Sequence, residues 1–85
     1  MTYWSFYPHL ELHGERAESV AFLLLDFIKD NIKMRKEYIV IIHGKGQGVL
    51  KEEAHLVLSK YKEVLDYKIV PENVGMTLVR LRVKK

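Results

Sequence analysis

The chain has 85 residues, enough for one domain and close to the lower limit for a single core, which its 48% hydrophobic content can build. It has no cysteine, so disulfides and thiolate metal sites are excluded and a cytoplasmic setting is the default; nor does any apolar stretch reach the roughly 18 residues of a membrane span. Residues 1–65 balance nine basic against nine acidic side chains, so the net charge of +3 comes from the last segment, where Lys68, Arg80, Arg82, Lys84 and Lys85 oppose Asp66 and Glu72; a positive field confined to one segment suits a polyanion.

Met1 to Pro8 carries no basic residue and does not read as a signal peptide. Residues 1–8 form an aromatic arm holding Tyr3, Trp4, Phe6 and Tyr7, and residues 9–85 form the domain. Such aromatics can stack on bases; the preferred reading is that they cover exposed sheet surface. From His9 to His13 the residues alternate, with Leu10 and Leu12 on one face and His9, Glu11 and His13 on the other, the pattern of a half-buried strand. Gly14 breaks it.

Ala17, Val20, Ala21, Leu24, Phe27 and Ile28 then recur at helical spacing. Phe22, Leu23 and Leu25 widen the stripe, which predicts a helix buried on more than one side, fading near Lys33. Tyr38 to Ile42 is a continuous, β-branched run and predicts a central strand covered on both faces. Gly44 to Gly48 is a glycine-rich loop. A second helix follows from about Val49 to Tyr61, with Leu50, Ala54, Val57, Leu58 and Tyr61 inward; His55 falls off this stripe and, like His9, is expected at the surface. Val64 to Val70 is a third strand, Pro71 to Gly75 a turn, and Met76 to Val83 a fourth strand, antiparallel to the third because the turn is short.

The order β-α-β-α-β-β predicts an α/β, two-layer sandwich: a four-stranded mixed sheet with both helices on one face. In the last strand Thr77, Val79, Leu81 and Val83 should then meet the helices, leaving Arg80 and Arg82, with His9 and Glu11, on the open face.

The motif Leu-His-Gly at Leu12-His13-Gly14 has a counterpart in Ile42-His43-Gly44. If both end neighbouring parallel strands, His13 and His43 share the carboxyl edge of the sheet, where ligands collect in open α/β sheets. Backbone N–H groups from Gly44, Gly46 and Gly48 favour an anion there. Histidine exchanges protons near neutrality, so a pair can share acid and base roles in phosphodiester cleavage. Lys45 can offset charge on phosphate oxygens, and Glu11 can orient a histidine or activate water. The plainer reading is that each histidine caps its strand by bonding loop backbone. His13, His43 and Glu11 can also be read as ligands for a divalent metal, although no compact ligand motif supports it and metal-independent chemistry is preferred. The loop is neither a Walker A loop nor a dinucleotide fingerprint, both of which need other spacings.

From about His9 to Leu81 these residues resemble a small MutS-related (Smr) domain. Leu10-Glu11-Leu12-His13-Gly14, followed by Arg16 and Glu18, is similar to the family's Leu-Asp-Leu-His-Gly opening, with Glu11 where aspartate is usual. His43-Gly44-Lys45-Gly46, continuing as Gly48-Val49-Leu50, is similar to its His-Gly-x-Gly signature. Gly75-Met76-Thr77-Leu78-Val79-Arg80-Leu81 is similar to its final strand and keeps only Gly75 of the glycines usual before it. The resemblance implies a fold like the C-terminal domain of a translation initiation factor. It implies nucleic-acid binding and, in several members, endonuclease activity on DNA or RNA. The expected function is therefore a nucleic-acid-binding endonuclease, monomeric, with a non-catalytic module of a larger repair, recombination or ribosome quality-control system as the alternative.

Overall fold

A computed structural model describes residues 6–46 and 48–84, leaving Tyr3 and Trp4 of the arm outside the described residues. The elements follow the predicted order: β1 (His9–Glu11), α1 (Ala17–Lys33), β2 (Tyr38–Ile42), α2 (Val49–Lys60), β3 (Val64–Val70) and β4 (Asn73–Leu81). The sheet order is β1-β2-β4-β3. β1 and β2 are parallel, with Leu10 opposite Ile41 and Glu11 opposite Ile42. β4 runs antiparallel to both β2 and β3.

Period-two alternation decides which face meets the helices. Leu12, Ile39, Ile41, Val79 and Leu81 pack against Val20, Leu24 and Ile28 of α1 and Ala54 and Leu58 of α2. Both helices therefore lie on one face. The other face carries a smaller cluster of Val40, Val70, Met76 and Leu78, flanked by Tyr7, Tyr38 and Ile42. Tyr7 stacks on Tyr38 with ring centroids 5.1 Å apart, so this part of the arm does cover sheet surface. Among the described residues no helix is long and apolar enough to cross a membrane.

α1 ends in a Schellman turn. Arg35 adopts the left-handed conformation (φ 58°), its N–H bonds the Ile32 carbonyl, and the Lys36 N–H bonds that of Asn31.

Three expectations differ from the structure. α1 is buried along one stripe only, and Phe22 is 74% exposed, because a two-layer fold puts nothing outside the helices. The turn after β3 is shorter than predicted. Asn73, Val74 and Gly75 join β4, with a register shift at Val70 absorbing the mismatch. β4 also stops at Leu81 rather than Val83, although its alternation carries on: Arg82 is exposed and Val83 packs against the helix-side core.

Candidate nucleic-acid site at the carboxyl edge of the sheet

Because β1 and β2 are adjacent and parallel, His13 and His43 emerge at the same edge. The loop between β2 and α2 is fixed there from β4. The Gly75 carbonyl accepts N–H bonds from both His43 (2.9 Å) and Gly44 (3.0 Å). Gly75 is closely packed: a Cβ on it would lie 3.1 Å from the Gly44 carbonyl carbon and 3.1 Å from Cγ of Lys45, so the loop would have to give by a few tenths of an ångström. At the other end of the loop, Gly48 caps α2 in a left-handed conformation (φ 88°) without any side-chain cap. The first N–H groups of α2 thus lack a side-chain acceptor and carry the positive end of the helix dipole.

His13 is exposed and its ring lies against Gly44. It borders two hollows. One, on the helix side, is lined by His43, Gly46, Gly48, Val49 and Leu50 as well as His13. The other, on the open-face side, is lined by Glu11, Lys45, Gly44, Asn73, Gly75 and Met76, among others. Glu11 does not orient the His13 ring: its Oε1 accepts the His13 backbone N–H at 2.9 Å. Lys45 is exposed at the rim.

His43 is built differently from His13. It is 3% exposed, and both ring nitrogens have partners. Nδ1 donates to the Gly44 carbonyl at 3.2 Å, and Nε2 lies 2.8 Å from the Thr77 hydroxyl. The plainer reading, a histidine bonding loop backbone, describes His43 well.

His55 corrects the sequence reading, which placed it at the surface. It is half-buried, with Nε2 also 2.8 Å from the Thr77 hydroxyl and its ring 5.1 Å from that of Tyr67. The rings of His43 and His55 meet edge to face at 6.0 Å. Ala54 and Leu58 set the buried face of α2, and His55 follows the first and precedes the second by less than a turn, at the border of that stripe. A signal was available: Thr77 sits on the helix-facing side of β4, and a buried hydroxyl needs a partner. Burial lowers the pKa of His43, opposed by its bond to the Gly44 carbonyl and assisted by the charge of Lys51. Burial also lowers that of His55, with the charges of His43 and Lys51 acting in the same direction.

The arginines lie apart from this edge. Arg80 is opposite Tyr38 on the open face and pairs with Glu37 at 3.2 Å. It stands five residues beyond Gly75, about 17 Å along a strand. Arg82, exposed between Leu81 and Val83 of the helix-side core, borders a hollow with Ile32, Lys33, Arg35, Glu63 and Lys84 beside the end of α1. Among the described residues no group of three or more His, Asp or Glu side chains is placed to hold a metal ion.

Comparison with known proteins places this geometry in context. The family model described as the Smr domain matches residues 10–82. Endonuclease MutS2 of Solidesulfovibrio magneticus is 33% identical over 76 residues, covering 86% of this chain and 10% of that protein. Endonuclease MutS2 of Helicobacter pylori is 32% identical over 72 residues, covering 85% of this chain and 9% of that protein. The chain thus spans about a tenth of the length of these relatives. The crystal structure of the Smr domain of Thermus thermophilus MutS2 superposes with a TM-score of 0.85 at 22% identity, covering 88% of this chain and 98% of that one. YdaL, a stand-alone small MutS-related protein from Escherichia coli, gives a TM-score of 0.81 at 24% identity, covering 89% and 67%. At these identities the two structures show the shared fold.

Proposed function

The chain belongs to the Smr domain family, and on that premise we propose that it binds nucleic acid at the carboxyl edge of β1 and β2 and cleaves a phosphodiester bond there. The observation that carries this reading is the pairing of exposed His13 and Lys45 with a glycine loop at the uncapped N-terminus of α2. A phosphate seated on the loop meets backbone N–H groups and the helix dipole. Lys45 adds a full charge at the rim, and His13 is the catalytic residue, giving or taking the proton at the reacting oxygen. His43 acts behind the loop through its bond to the Gly44 carbonyl. Glu11 fixes the backbone of His13 through Oε1 and lines the hollow shared with His13 and Lys45, where its second oxygen can orient water.

From the loop, the strand of nucleic acid extends along the open face past Met76 and the Tyr7–Tyr38 stack toward Arg80. Aromatic and apolar side chains followed by a guanidinium suit unstacked bases and a second phosphate. That the longer relatives are named endonucleases supports cleavage as the proposed activity.

A second reading, a non-catalytic module that delivers a larger protein to nucleic acid, draws support from one feature. Of the two histidines, only His13 presents a ring nitrogen without a described partner. Labelled DNA and RNA incubated with the protein, with and without EDTA, separate the two. Cleavage lost in His13→Ala establishes the first reading, and tight binding without cleavage establishes the second.

A further inference from the structure

The contact of two imidazoles with one hydroxyl fixes where protons can sit. A carbonyl only accepts, so the 3.2 Å bond to Gly44 requires a proton on Nδ1 of His43. Neutral His43 then has a bare Nε2, which accepts the Thr77 hydroxyl proton across 2.8 Å. The Thr77 oxygen, having given its one proton, is left to accept, and the group facing it at 2.8 Å is Nε2 of His55, which must carry a proton. The bonds therefore run in one direction: His55 to Thr77, Thr77 to His43, His43 to the Gly44 carbonyl.

We infer that His55 is a positioning residue for the glycine loop, acting through Thr77 to hold the His43 ring whose Nδ1 bonds Gly44. Thr77 is fully buried on β4, His55 comes from α2 and His43 from the end of β2, so three elements converge on the loop. Without the His55 donor, the Thr77 oxygen loses the partner that orients it, its bond to Nε2 of His43 weakens, and the ring that holds the Gly44 carbonyl is anchored from one side only. Lys51 of α2 and Tyr67 of β3 are the other titratable groups placed near His55 by charge or ring contact. The inference rests on hydrogen-bond geometry and holds whether or not the loop binds nucleic acid.

Long-range proton–nitrogen NMR correlations on the nitrogen-15 protein at neutral pH read the tautomers directly. His43 should carry its proton on Nδ1 and His55 on Nε2. In Thr77→Val and His55→Leu, the Nε2 signal of His43 should shift toward that of an unbonded ring nitrogen, and the amide signals of Gly44, Gly46 and Gly48 should move while those of the distant Ile28 and Leu81 stay. Thr77→Ser keeps the hydroxyl and His55→Gln keeps an N–H donor, so both should restore the wild-type His43 pattern. A wild-type His43 protonated on Nε2 overturns the inference without any variant. So does a folded Thr77→Val whose His43 and glycine signals are unchanged.

Discussion

A side chain on Gly44 would strike the ring of His13: a Cβ placed there lies 2.8 Å from the ring's Cδ2. Gly14 has a similar left-handed backbone, φ 93° against 85° for Gly44, yet nothing lies within 4 Å of a Cβ placed on it. The pair separates backbone strain from displacement of His13. Gly14→Ala and Gly44→Ala should each lose about 1–2 kcal/mol of stability from the left-handed conformation alone. Only Gly44→Ala should also weaken nucleic-acid binding, by roughly tenfold, or about 1.4 kcal/mol. Chemical denaturation and titration of a labelled oligonucleotide check both parts.

The buried histidines predict how stability responds to pH. Burial lowers the folded-state pKa of His43 and His55 below the ordinary 6.5. Between that value and the lower folded values, the unfolded chain binds more protons than the folded one, so stability rises with pH across this window. The contribution is complete above 6.5 and is lost progressively as pH falls below it. Urea midpoints measured from pH 8 down to pH 5 should decline for wild type in this window. The decline should be smaller in His55→Gln, which removes one of the two titrating rings.

The two arginines should behave differently. Arg80 is on the open face beside Tyr38, whereas Arg82 borders Lys33 and Arg35 beside the end of α1. Arg80→Ala should weaken binding and flatten the slope of log affinity against log salt by about 0.7 for a single strand. Arg82→Ala should leave the slope unchanged. Equal losses from both would mean that the nucleic acid crosses the far end of the sheet instead of running along the open face.

Cleavage should depend on His13. If His13 acts without a metal, RNA is the more accessible substrate because its 2′-hydroxyl supplies the nucleophile. The products should then carry cyclic phosphate ends, the reaction should survive EDTA, and DNA should remain intact. His13→Ala should reduce the rate by about 10²–10⁴ while leaving the fold unchanged. DNA nicking that disappears with EDTA and returns with added metal assigns the attack to metal-activated water instead.

The legible part of the sequence was the part governed by periodicity. Alternation in β1 and β4, the apolar run of β2 and the helical stripes gave the element order, the mixed sheet and the single helix-covered face. The repeated His-Gly placed two histidines at one edge. The sequence could not show that His13 and His43 differ in exposure, because that depends on α2 folding over His43 and not over His13. It misplaced His55 because a residue at the border of a helical stripe turns inward only when the facing strand offers a partner, here Thr77. The alternation of β4 stayed legible past the strand's end, since Leu81 and Val83 both pack on the helix-side core with exposed Arg82 between them.

The most direct measurement is an amide chemical-shift titration of the nitrogen-15 protein with a short single-stranded oligonucleotide. The largest shifts should fall on His13, Gly44, Lys45, Gly46 and Gly48, extend over Met76 and Tyr38 toward Arg80, and vanish at the loop in Lys45→Ala. Shifts centred on the outer helix surface around Phe22 and Leu56, with the glycine loop unmoved, would contradict the site.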